Sequence, residues 1–210
     1  MLDTIRLPIF LTAAFLLAIA PGPGMLYVLA RSLAGGRREG VLSSLGTFVG
    51  GMVHVLAAAA GVSLILARSA VAFATVKYAG AGYLVFLGVR MILDARSDRN
   101  GLPAEPSATP RNPFWQGVAT EVLNPKTALF FLSFIPQFVN RDLGHVFWQF
   151  VILGSISVGL NTTADLLVTL FAGPLGERIR SSAKFRRGQR STTGAVMIGL
   201  GAYLALSKSE

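Results

Sequence analysis

Read for hydrophobic and polar positions alone, the chain alternates six apolar stretches with five polar connectors. The stretches cover roughly residues 8–30, 41–66, 70–93, 114–139, 146–173 and 190–207. Each is close to or beyond the about 20 helical residues that a bilayer core requires. The pattern predicts an all-α integral membrane protein with six transmembrane helices. The connectors are "ARSLAGGRREG", a short turn near Arg68, "DARSDRNGLPAEPSATPRN", "NRDLGH" and "PLGERIRSSAKFRRGQR". The third, rich in Pro, Ser and charge, reads as an exposed linker over about 94–113. It divides a single transmembrane domain, residues 1–210, into halves of about 8–93 and 114–207.

Three spans per half is an odd number, so the halves cross the membrane in opposite senses. That is the arrangement of an inverted repeat. Each half also opens with a proline-broken span: "APGPG" at 20–24 and "LNPK" at 123–126. Interrupted spans at matching positions point to a transport site near the midplane. Proline has no N–H, so Pro21 is expected to free the carbonyl of Leu17, Pro23 that of Ile19, and Pro125 that of Glu121. In hydrocarbon an unbonded carbonyl costs several kcal/mol and has to face protein, water or a ligand. Gly22 and Gly24 are expected to let the backbone leave helical angles and to leave room for a ligand. A kink repaired by neighbouring helices is the structural alternative for either proline alone.

Charge inside the spans extends the candidate site. Lys126 lies about 12 residues, or roughly 18 Å, into its span. An ionised lysine at that depth costs about 2.5–3.5 kcal/mol to insert. It either pairs with a carboxylate simply to be tolerated or serves as a fixed cation for a substrate carboxylate. Glu121 and Asp165 fall at similar depth on their spans and are candidates to pair with Lys126, to bind an ammonium or to carry a proton. Asn124, beside Pro125, belongs to the same group. His54 lies mid-span and reads as a hydrogen-bonded packing residue or a proton relay. Gly46, Gly50 and His54 share one helix face, and Gly46-xxx-Gly50 is a close-packing signal. Asn161, Thr162 and Thr163 can line a cavity with Asp165 or bond back to their own helix. Lys77 and Arg90 lie nearer span ends and are expected to reach for the interface.

Composition agrees with the membrane reading. Hydrophobic residues make up 52% of the chain and charged residues 14%, against about 25% charged in soluble domains; mean hydropathy is +0.59. The formal charge of +9 would suggest nucleic acid in a soluble protein, but thirteen of the nineteen Lys and Arg fall on the first, third and fifth connectors. The positive-inside rule then puts those loops in the cytoplasm and both termini outside. The basic charge is a topology signal that also suits anionic lipid, and no nucleic-acid partner is expected. "AIA" at 18–20 resembles a signal-peptide cleavage site, but Pro21 follows at once and the apolar run resumes at Met25. The chain has no cysteine and two histidines. That excludes disulfides and thiolate metal sites, and no cofactor or metal is expected. A membrane-embedded enzyme would need a converging nucleophile and base, which the pattern lacks. A non-transporting membrane subunit, a passive channel and a carrier for another small metabolite are the competing classes.

The segments "APGPGMLYVLARSLAGGRREGVLSSLGTFVGGMVHVLAAAAGVSLI", "VKYAGAGYLVFLGVRMI" and "GVATEVLNPKTALFFLSFIPQFV" resemble the LysE/RhtB family of bacterial amino-acid exporters. The likeness runs over residues 10–205. It implies a six-span, multi-pass exporter of small amino acids or close derivatives in the bacterial cytoplasmic membrane, driven by protons, with homo-oligomerisation left open. Carried over by position, Pro21, Gly22 and Pro23 match the family's first motif and Asn124, Pro125 and Lys126 its second. Asp165 falls where members often have an acidic residue. Two positions depart: Gly24 and Glu121 stand where members often have asparagine. An extra carboxylate favours a cationic substrate or neutralises Lys126.

Overall fold

The computed structural model describes residues 6–68, 70–97, 112–140, 142–174 and 182–206. All regular structure among them is helical. Most of the linker, the middle of the fifth connector and both extreme termini lie outside the described residues.

The first apolar stretch does not form one rod. Helix α1, Leu7–Ile19, stops at Ala20, whose backbone is extended at φ −74° and ψ 111°. Helix α2 starts afresh at Pro23 and runs to Arg68. Proline suits this opening position, because a first-turn N–H has no intrahelical partner to lose. The connector expected after the first span is itself helical. The chain turns there at Gly36, at φ 74°, a left-handed conformation that glycine adopts without a steric penalty. Arg31 and Glu39 form a 3.1 Å ion pair across that corner.

Helix α3, Ala70–Ser97, follows closely on α2. The second half opens with α4, Pro113–Val122, capped by the Asn112 side chain. A break at Leu123–Asn124 leads into the short α5, Pro125–Leu129. This passes into a π-helical turn, Phe130–Phe134, and a 3-10 turn, Ile135–Phe138. The two segments meet at a bend of 45°. Helix α6, Val146–Leu170, and helix α7, Ala183–Leu206, complete the described chain.

Three helices are long and apolar enough to cross a membrane, and the bent pair makes a fourth. The expected first and sixth spans fall short of that test for readable reasons. Helix α1 has 13 residues, about 20 Å of rise, because the break cuts the span. Helix α7 opens on Lys184, Arg186, Arg187 and Arg190.

Glycines set how closely the helices approach. A side chain at Gly46 would strike the Phe114 carbonyl. One at Gly50 would meet the Cβ of Glu121 at 2.7 Å and the Val118 carbonyl at 2.8 Å. The Gly46-xxx-Gly50 face is therefore the seam on which α2 lies against α4. Gly88 and Gly194 form the equivalent seam between α3 and α7, where a Cβ on either would lie 2.5 Å from the other's carbonyl oxygen. The apolar core lies between α1, α2, α3, α6, α7 and the phenylalanine-rich turn after α5. Phe130, Phe131, Phe134 and Phe138 are all buried there.

Candidate functional site

The site is built on the two breaks. At the first, the proline carries out the expected subtraction: the Leu17 carbonyl has no N–H at position 21 to bond. The Lys126 ammonium fills the gap, donating to Leu17 O at 2.8 Å and to Ala20 O at 2.6 Å. A cation at the C-terminal end of α1 also suits the partial negative charge that gathers there. At the second break, Pro125 removes the N–H that would serve Glu121 O. That carbonyl accepts from the Asn124 N–H at 3.0 Å and from His54 Nε2 at 2.9 Å. A carbonyl only accepts, so His54 carries its proton on Nε2 in this bond. The imidazole also stacks on Phe131, nearly parallel at 6.3 Å. The breaks thus serve one another. The lysine of the second half bonds the freed carbonyl of the first, and a histidine of the first half bonds that of the second.

Gly22, Gly24, Glu121, Asn124, Lys126 and Asp165 all line one small polar cavity. Its volume is about 30 Å³, room for about two water molecules. The three charged side chains are each at most 9% exposed. Among the described residues no ion pair joins Lys126 to either carboxylate. Two of the three ammonium donors go to backbone carbonyls instead. Tolerance of Lys126 by direct carboxylate pairing, one of the two sequence readings, is therefore not what the structure has.

The carboxylates are held by neutral donors. Thr127 Oγ1 donates to Glu121 Oε1 at 2.6 Å, and Asn124 Nδ2 donates to Glu121 Oε2 at 3.1 Å. Asn124 also caps α5, its Oδ1 accepting from the Lys126 N–H at 3.1 Å. The Thr47 hydroxyl lies 2.9 Å from Asp165 Oδ2 and shares its proton with Ser44 O.

The remaining expectations divide. Pro21, Pro23 and Pro125 shape the walls without lining the polar cavity, and Pro21 faces a wider apolar cleft of about 820 Å³ between α1, α6 and α7. His54 sits behind the wall, on the Glu121 carbonyl. Gly22 and Gly24 were expected to let the backbone leave helical angles and to leave room; Gly22 lies in the non-helical break and Gly24 inside α2, neither at positive φ. Their missing side chains matter for room. A Cβ at Gly22 would lie 3.0 Å from Lys126 Cδ, and one at Gly24 would overlap Glu121 Oε2. Asn161 and Thr162 do both things proposed for them, lining the cavity while bonding back to Ser157 O and Val158 O. Thr163 bonds back to Gly159 O and is exposed. Lys77 does not reach for an interface: it is 1% exposed, with its ammonium 5.4 Å from the Tyr78 ring centre.

Sequence reasoning missed Thr47 and Thr127. Thr47 had a readable signal, since Ser43, Ser44 and Thr47 form a buried polar stripe at helical spacing on an otherwise apolar helix. Thr127 had none beyond adjacency to Lys126.

Comparison with known proteins identifies the family. The profile of the LysE type translocator family matches residues 15–208. A membrane protein of Bacillus subtilis, YrhP, is 29% identical over 206 residues, covering 94% of this chain and 97% of its own. A membrane protein of Pseudomonas aeruginosa is 35% identical over 197 residues, covering 89% and 88%. A protein named leucine efflux protein, from an Enterobacter strain, is 29% identical over 200 residues, covering 93% of each chain. No solved structure matches.

Proposed function

This chain belongs to the LysE type translocator family, and we propose that it is a secondary active exporter of amino acids or close derivatives across the bacterial cytoplasmic membrane. The observation that carries the reading is the convergence of both proline breaks on one polar cavity holding a lysine and two carboxylates. A polytopic membrane protein that only packs against a partner has no use for three ionisable groups at such cost. The efflux activity named for the Enterobacter relative supports the direction and the substrate class.

In this reading α1 and the opening of α2 act as one broken span, the bent pair as another, and α7 completes six. The halves form two inverted three-helix repeats within one domain, both termini outside. The substrate's carboxylate takes the remaining donor of the Lys126 ammonium. Its own ammonium meets Asp165 or Glu121. A cavity with room for about two waters holds an amino acid only after its walls part, so loading requires the halves to separate on one side and then the other. Proton arrival at a carboxylate from outside resets the carrier.

The test is export from cells loaded with a mixture of dipeptides, following amino acids inside and outside, with Lys126→Met beside wild type. The proposal expects one or a few amino acids to leave faster with wild type and the variant to lose that export. Unchanged amino-acid movement with wild type, or full export by Lys126→Met, overturns it.

A further inference from the structure

Glu121 lies near the C-terminal end of α4 and Gly24 is the second residue of α2, so the two come from different halves. A Cβ built on Gly24 would overlap Glu121 Oε2 and lie 3.5 Å from Glu121 Cδ, with Thr47 Cγ2 at 3.7 Å. The backbone of Gly24 is not in the left-handed region, so conformation does not require glycine there. The carboxylate occupies the space that any side chain at 24 would fill. It has little freedom to move aside, because Thr127 and Asn124 hold one oxygen each.

We infer that Gly24 and Glu121 act as one specificity element: the missing side chain at 24 admits a carboxylate at 121, and that carboxylate selects substrates carrying a net positive charge. This rests on the exporter reading for its meaning in the cell, but its physics concerns binding alone. Around the cavity stand two carboxylates, Glu121 and Asp165, and one ammonium, Lys126. With all three ionised the walls carry one uncompensated negative charge. In a desolvated cavity that charge favours a ligand that balances it. An amino acid with a basic side chain does so, whereas a zwitterion with an aliphatic side chain does not. Removing the charge at 121 leaves Asp165 against Lys126 and reverses the preference.

Gly24 makes the inference separable from a plain loss of charge. An alanine at 24 keeps the charge at 121 but takes the space of Glu121 Oε2. Gly24→Ala therefore pushes the Glu121 carboxylate out of place at the expense of its bonds to Thr127 and Asn124, and is expected to lower the ligand-free Tm.

The experiment is the thermal stabilisation of purified, detergent-solubilised full-length protein by L-lysine and by L-leucine. Ligands that bind the folded state stabilise it by RT ln(1 + L/Kd) at free ligand concentration L, so at equal concentration the tighter ligand raises Tm more. Wild type is expected to be stabilised more by lysine. Glu121→Gln is expected to lose at least tenfold in lysine affinity and to prefer leucine, and Gly24→Ala is expected to shift the same way. Added to Glu121→Ala, the alanine at 24 is expected to change nothing further, because the clashing group is already gone. Equal stabilisation of wild type by both ligands, absence of stabilisation by lysine, or an unchanged preference in Gly24→Ala overturns the inference. Stabilisation as expected with no export from dipeptide-loaded cells would instead sink the exporter reading and leave the pair standing.

Discussion

At Ala20–Gly22 and at Leu123–Asn124 the chain leaves a helix beside a proline, and in both places a carbonyl loses its N–H partner. What surrounds the two carbonyls differs. The second break is mended largely from within: Asn124 caps α5 with its side chain, and its own N–H reaches back to Glu121 O, with His54 adding a further donor. The first break has no such local repair. Leu17 O and Ala20 O take their side-chain bonds from Lys126, more than a hundred residues away in the other half. A local cap survives a movement of the halves, whereas a bond between halves does not. Under the proposed alternating access, the first break is therefore the one whose hydrogen bonding has to change, and the second is the firmer frame that carries the lysine to it.

Lys126→Met should expose that difference most strongly. It leaves two buried carbonyls without their donor, at about 1–3 kcal/mol for each such group, and removes the cavity's cation. Export should fall by well over tenfold and Tm should drop. Retained stability with lost export would shift the weight of Lys126 from the break to the substrate. His54→Ala acts on the break that has a second donor, so its cost should be smaller, about 1 kcal/mol, with His54→Gln recovering part of it through its amide N–H. Asn124→Ala removes a helix cap worth about 0.5–2 kcal/mol and one anchor of Glu121. Its effect should appear more in substrate preference than in Tm. The smallest effect sharpens the comparison most. Pro125→Ala restores an N–H that can serve Glu121 O, so His54→Ala should cost less in that background than in wild type. Additive costs in this double-mutant cycle, read by thermal unfolding, would mean that His54 does not stand in for the missing N–H.

Much of this was legible in the chain because proline removes a specific donor. Counting four residues back from Pro21 and Pro125 leads to Leu17 O and Glu121 O, and both are served from outside their own helix. The glycine seam through Gly46 and Gly50 was readable for a similar reason, since helical spacing fixes a face. What filled each gap was not readable. Sequence puts Lys126 and the Leu17 carbonyl in different halves, and only the tertiary fold brings them to 2.8 Å. The same limit hid the reason for Gly24. Its neighbour in space, Glu121, is distant in sequence, so room taken by a carboxylate of this chain looked like room for a ligand. The helical corner at Gly36 was missed because "GGRREG" carries loop composition while the flanking residues keep helical hydrogen bonding.

Alternating access to the cavity is the central claim, and the natural sequence makes it simple to probe, because it contains no cysteine. Thr162→Cys places a single thiol on the cavity wall. In oriented vesicles, a membrane-impermeant thiol reagent would be applied to one face and then to the other, with and without amino acid and a proton gradient. The account predicts labelling from both faces, with the balance between them moved by substrate or gradient. Labelling from one face only, unmoved by either, would contradict it.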